Sequence, residues 1–291
     1  MRRSRTHEYA QRLIAQLPKL SLLVLILPGL LGISARASQL KSETATAFDR
    51  YVALTEARMD DDLHVDQFLV MDRLPDAQRT EAYDQLKQGQ VYIEELHTEQ
   101  DHHSIHIPSG LIHHWVGAIF IPKATLSETH AVLQDYENEP NIYKPEIRRA
   151  ELVERNGNES KIFLQFYNKS LVTVVLNEYS TVIEAHLGRT RLQSASRSTR
   201  IAEVANPGGP DEHERAEGDD HGYMWRLNSY WRIEEKDGGV YIQNESITLS
   251  RTVPLLLAWI VNPLVKSIPR DVLSHTLTNT RIAVLKMVTP P

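Results

Sequence analysis

From residue 222 to residue 250 the chain alternates apolar and polar positions, first in one run and then, after a turn, in a second. In the first run Tyr223, Trp225, Leu227, Trp231 and Ile233 fall on one face, and Arg226, Asn228, Arg232 and Glu234 on the other. Successive side chains of a strand point to opposite sides, so this pattern predicts a strand over 222–234 with one side built to be covered. Lys236, Asp237, Gly238 and Gly239 follow. Asp-Gly and Gly-Gly tolerate the positive φ of tight primed turns, which predicts a hairpin returning through 240–250. After Pro269, whose fixed φ suits a first helical position, Leu273, Leu277, Ala283, Val284 and Met287 recur near the helical period and predict a long amphipathic helix. A sheet and a helix with facing apolar sides are expected to meet.

Upstream, Phe48, Tyr51, Val52, Thr55 and Met59 form one stripe of a helix over 43–59, which the acidic run Asp60, Asp61, Asp62 is expected to end. A second helix is predicted over 76–87, and the two read as an extension packed on the outside of a larger body. Strands are predicted over 90–96 and 111–121. Pro122 stops the second, and the capping box Thr125-x-x-Glu128 starts a helix with Leu126, Val132, Leu133 and Tyr136 inward. Pro140 and Pro145 end it. Further strands are predicted over 147–153, 161–167, 171–184 and 191–204, separated by Asn156-Gly157, by 168–170 and by a turn near Gly188. Residues 206–221, rich in carboxylates, proline and glycine, read as a mobile acidic loop that lacks the alternating spacing of an EF-hand.

The 291 residues are 41% hydrophobic and 24% charged, ordinary values for a folded chain. A net charge of −6 and no basic stripe remove the electrostatic basis for nucleic-acid binding. The absence of cysteine excludes thiol catalysis, disulfides and cysteine-ligated metal. At the N-terminus Arg2, Arg3, Arg5, Arg12 and Lys19 precede an apolar run over 20–33 and the sequence Ala35-Arg36-Ala37. This layout predicts a signal peptide over 1–37, cleaved after Ala37, and export to the periplasm or beyond. The alternative is an N-terminal membrane anchor, for which a run broken by Pro28 and Gly29 falls short of the roughly 20 apolar residues that span a bilayer.

Ile121-Pro122-Lys123-Ala124 through Val132-Leu133-Gln134-Asp135-Tyr136, then Tyr143-x-Pro145-x-Ile147, resembles a segment of the START-like or SRPBCC superfamily in which a helix ends in Asp-Tyr and a proline turn leads to the next strand. Ser250-Arg251-Thr252-Val253-Pro254 and the final helix are similar to its C-terminal half. The resemblance implies an α+β helix-grip fold, a curved antiparallel sheet wrapped around a long C-terminal helix. It places such a domain at 89–288, behind the leader and a helical extension at 38–88. It further implies an exported, non-enzymatic protein that encloses a hydrophobic small molecule or lipid. Because the fold hosts several activities, two alternatives stand beside this reading. One is a cyclase- or hydrolase-like enzyme using His113 or His114 with Glu245 as acid and base. The other is a structural envelope module that offers Phe48, Tyr51 and Val52 to a partner.

The candidate cavity lining is His113, His114, Trp115, Tyr223, Trp225, Trp231, Tyr241, Gln243, Glu245, Leu273 and Leu277. Aromatic rings supply apolar area there, and Gln243 and Glu245 would be polar groups in an apolar chamber, which need partners or a shifted pKa. In the apolar run 255–265 the resemblance implies a gate formed by Leu255, Trp259 and Ile260, with transient contact to a membrane surface. His97, His102, His103, His106, His113 and His114 crowd one region, yet neighbours on a strand point apart and no H-E-x-x-H spacing exists. They read as polar loop residues, so no metal and no cofactor is expected.

Overall fold

The computed structural model describes residues 39–169, 173–252 and 255–288, of which the side chains of 255–267 lie outside the described set. Two helices lead, α1 (Ser42–His64) and α2 (Asp76–Lys87), joined through a 3-10 turn at Val70–Arg73. The acidic run does not end α1, because its repulsion is relieved: Arg58 Nη1 donates to Asp62 Oδ2 at 3.2 Å, and Arg232 approaches the same oxygen at 3.7 Å. Strand β1 (Tyr92–Glu95), the small hairpin β2 (Glu99–Gln100) and β3 (His103–Ser104), and the long β4 (Gly110–Pro122) follow. Thr125 caps α3 (Leu126–Leu133) reciprocally with Glu128, the Glu128 N–H donating to Thr125 Oγ1 at 3.2 Å and the Thr125 N–H to Glu128 Oε2 at 2.9 Å. A short α4 (Glu139–Ile142) leads into the strands β5 (Ile147–Asn156), β6 (Glu159–Lys169), β7 (Thr173–His186) and β8 (Arg191–Ala205).

The acidic segment after β8 is tied down rather than mobile. Its two-residue β9 (His213–Glu214) pairs with β8, and Glu214 accepts from Asn177 Nδ2 at 2.8 Å and Tyr179 Oη at 2.9 Å. The hairpin β10 (Arg226–Lys236) and β11 (Gly239–Arg251) turns at Asp237 and Gly238, both with positive φ (58° and 74°). Helix α5 (Leu255–Val288) begins well before Pro269 and runs through both Pro263 and Pro269. An interior proline costs about 3 kcal/mol. Burying Leu273, Leu277 and Val284 returns roughly 1.5–3 kcal/mol each, enough to offset the two prolines together.

The main strands form one antiparallel path, β1-β4-β11-β10-β8-β7-β6-β5. The chain crosses from β4 over α3 and α4 to the far edge at β5 and returns strand by strand to β11 beside β4. Helix α5 then lies on one side of that sheet, the helix face. Trp115, Ile119 and Ile121 of β4, Val240 and Ile242 of β11, Ile233 and Leu192 meet Leu273, Leu277 and Val284 of α5 and Leu126 and Val132 of α3 there. The approach is close: a Cβ on Gly117 would stand 2.7 Å from Leu277 Cδ1 and 3.2 Å from Leu273 Cδ2. On the outer face α1 packs Phe48, Tyr51, Val52 and Met59 against Trp225, Tyr230, Ile247 and Leu249. Phe68, Leu69, Met71 and Leu86 cover Val116, Ala118, Phe120 and Tyr241 beside them. The α1 stripe is therefore spent on the protein's own sheet and offers no partner surface.

Candidate functional site

Register across the helix face separates a sealed end from an open one. At the sealed end Ile119, Ile242, Ile233 and Leu192 stand side by side on β4, β11, β10 and β8, each no more than 1% exposed. Two residues along each strand the row becomes Gly117, Asn244, Trp231 and Ser194, and two further it is Trp115, Ser246, Ser229 and Ser196. Ser194, Ser196, Ser198, Leu227, Ser229, Trp231, Ser246 and Thr248 are only half-buried although they lie on interior strands. Small hydroxyls at inward positions do not fill the space that isoleucines fill next door, so the floor under the first half of α5 is shallow and polar. Asn244 Nδ2 donates to Ser229 Oγ at 2.7 Å, and His113 Nε2 lies 3.4 Å from Ser250 Oγ. Trp115, 9% exposed, has an indole N–H without a hydrogen-bond partner among the described residues.

The far wall of this face carries two buried acids. Glu178 follows the inward alternation of β7, with Ser180 and Val182, and its Oε1 accepts from Ser180 Oγ. Glu139 opens α4, and its Oε2 is buried without a hydrogen-bond partner among the described residues. Burial pushes the Glu139 carboxyl up to about 8, helped by the charges of Glu178 and Asp135. Burial likewise pushes Glu178 up to about 7, against the Ser180 hydrogen bond. Tyr143 crosses from α4 to α5, its Oη 2.9 Å from Thr280 Oγ1.

Several residues expected around one cavity are parted by the sheet. Tyr241, Gln243 and Glu245 share the outer face of β11 with Ile247 and Leu249, and His114 shares that of β4, because the alternation runs opposite to the one assumed. Gln243 Oε1 accepts from the Val70 N–H at 2.6 Å. His114 Nε2 lies 2.8 Å from Glu245 Oε1, and His114 Nδ1 lies 3.0 Å from Tyr51 Oη. Arg58 Nη2 donates to the same Glu245 oxygen. Burial alone would raise the Glu245 carboxyl, but His114 and Arg58 outweigh it and hold it below its ordinary value. Trp225 turns to the outer face because β10 starts only at Arg226, and its Nε1 donates to Asp220 Oδ1 at 3.1 Å. Tyr223 is 44% exposed and lines nothing. Leu273 and Leu277 are packed core rather than cavity lining. Of the expected set, His113, Trp115 and Trp231 also lie on the helix face, the two tryptophans packed at the edge of the same core cluster as Leu273 and Leu277.

The gate positions Leu255, Trp259 and Ile260 fall in the first turns of α5, with side chains outside the described residues. Two surface clefts among the described residues lie away from the space between α5 and the sheet. One of about 480 Å³ runs between α4 and α5 past Lys144, His275 and Lys286. The other, about 810 Å³, lies between the start of α1 and the β2–β3 hairpin, past Arg50, His103 and His106. Among the described residues no three His, Asp or Glu side chains gather to hold a metal ion, and no helix is long and apolar enough to cross a membrane. The serine floor was readable in the alternation of Ser194, Ser196 and Ser198 with Ala195 and Arg197. The acid pair was not, since Glu139 and Glu178 come from a break in one helix and the middle of a distant strand.

No protein-family model and no curated protein matches the chain. Solved structures do. The STAR-related lipid transfer protein from Xanthomonas axonopodis is 14% identical, with a TM-score of 0.42 over 66% of this chain and 98% of its own. The Zhui aromatase/cyclase from Streptomyces sp. R1128 is 11% identical, with a TM-score of 0.42 over 62% and 97%. Human STARD10 is 11% identical, with a TM-score of 0.42 over 74% and 81%. The strand order β4-β11-β10-β8-β7-β6-β5, with α5 across one face, is the helix-grip fold that the START-like resemblance implied.

Proposed function

We propose that the protein binds an apolar or amphipathic small molecule, a lipid among them, on the helix face between the serine floor and the N-terminal half of α5. One observation carries this: interior-strand positions from Ser194 to Thr248 stay half-exposed beside a row of isoleucines that is sealed. A sheet face in that state is a binding surface lined by a few polar groups, the usual make-up of small-molecule sites. The orphan indole N–H of Trp115 supports the reading, because a buried donor without a partner costs about 1–3 kcal/mol that a ligand acceptor recovers. Export and a membrane-facing gate at Leu255, Trp259 and Ile260 belong to the same proposal and rest on sequence pattern alone. The acid–base alternative gains little. His114 and Glu245 do lie within hydrogen-bond reach, but under α1, where a substrate has no path to them.

Native mass spectrometry of the purified protein, paired with solvent extraction, tests the proposal. A bound species of lipid mass that leaves on extraction, and quenches Trp231 fluorescence on return, is the expected result. A protein that stays empty when offered fatty acids, phospholipids and isoprenoids overturns it.

A further inference from the structure

Glu139 and Glu178 form no ion pair among the described residues, and nothing basic offsets their burial. Glu139 is 9% exposed and Glu178 2%, and the Glu178 charge raises the cost of charging Glu139. Such a pair is expensive to keep in an interior that supplies no cation. One oxygen of Glu139 also has no donor among the described residues. Two other carboxylates on the same face are partnered by contrast, Glu184 with His130 at 3.1 Å and Glu203 with His221 at 2.7 Å.

We infer that Glu139 and Glu178 form the polar end of the proposed binding face and receive the ammonium group of an amphipathic amine. The inference rests on the binding reading above and adds the head-group class. An ammonium carries one positive charge and N–H donors on a compact centre, so one group serves the empty oxygen of Glu139 and the second oxygen of Glu178 together. Tyr136 and Tyr143, both within reach of the Glu139 charge, add aromatic faces that favour a cation. A divalent metal fits poorly, since calcium takes 6–8 oxygens and no third acidic or histidine ligand joins the pair among the described residues. A neutral hydroxyl fills the empty oxygen but leaves the like-charge conflict in place.

The test compares dodecylamine with dodecanol on the full chain by calorimetry, each below its micelle concentration. An alkylamine titrates near about 10.4 and so keeps its charge at about pH 9, where both carboxyls ionise. The amine is expected to bind about tenfold or more tighter than the alcohol at about pH 9, with the gap closing towards about pH 6. In the double variant Glu139→Gln, Glu178→Gln the amine is expected to lose that advantage while the alcohol binds as before, which also reports that the variant is folded. Equal affinity for amine and alcohol, or a gap that survives the substitutions, overturns the inference and leaves the binding face standing. Binding of neither probe overturns both.

Discussion

His114 and Glu245 meet on the outer face of the sheet, Nε2 to Oε1 at 2.8 Å, and α1 closes over them with Tyr51 and Arg58 on either side. This fastens the N-terminal helices to the domain. Arg232 completes it from β10, donating to the carbonyls of Phe68 at 2.9 Å and Met59 at 2.8 Å. Removing one member of a buried pair leaves the other uncompensated, at about 3–5 kcal/mol. Glu245→Ala is therefore expected to lower stability by about that much in urea unfolding and to speed amide exchange across α1 more than across residues 268–288. Unchanged protection in α1 would show that the network does not hold the extension.

Stability is expected to fall as pH rises through neutrality. Glu139 and Glu178 titrate higher folded, at about 8 and about 7, than at the ordinary 4.5. The native state then holds more protons between those limits. The stability these groups contribute is fully present below 4.5 and gone above about 8. Each proton contributes up to about 1.4 kcal/mol per pH unit across its window. Melting followed by circular dichroism should give a lower Tm at about pH 9 than at about pH 6, and Glu139→Gln should flatten that slope. Glu245, held below its ordinary value, acts in the opposite sense, and its contribution is lost only in acid. Equal slopes in wild type and Glu139→Gln would mean that the pair does not titrate in the folded protein.

Much of this fold was legible because strands announce themselves locally. The capping box at Thr125 and Glu128, the Asp237-Gly238 turn and the alternation through β10 and β11 each sit within a few residues of the structure they specify. The face that each alternation presents was not legible. At their sealed ends β4, β10 and β11 are covered on both faces, on one by α3 and α5 and on the other by the N-terminal helices, so apolar residues occur on both and the period no longer says which side is inward. That ambiguity put Glu245 and Leu277 into one imagined cavity, though the sheet lies between them. The helix start at Pro269 failed for a related reason. Proline marks a boundary only where tertiary packing does not outweigh its cost, and α5 is heavily packed.

The contact between Gly117 and Leu277 sets how near α5 lies to β4. Gly117→Ala places a methyl group 2.7 Å from Leu277 Cδ1, and overpacking of this kind costs about 1–3 kcal/mol. Leu277→Ala alone, at a fully buried site, should cost about 2–5 kcal/mol. The double variant is expected to be less destabilised than the sum of the two, because the new methyl occupies part of the vacated space. Strict additivity in urea titrations would place the helix further from the strand than this contact requires.

Filling the floor should act in the opposite sense from emptying the core. Ser196 and Ser229 are adjacent in register on β8 and β10, half-buried on the helix face, with Trp115 on β4 and Trp231 on β10 alongside. Leucine at either position adds apolar surface to a site that is open, where it meets no packed neighbour to displace. Ser196→Leu is therefore expected to hold or raise stability, by about 0.5–2 kcal/mol in the manner of cavity-filling substitutions, while it abolishes ligand retention in native mass spectrometry. The two readouts separate the alternatives. If the face were solid core, the same substitution would overpack it and cost about 1–3 kcal/mol. A destabilised Ser196→Leu that still carries its ligand would place the binding site away from this strip of serines.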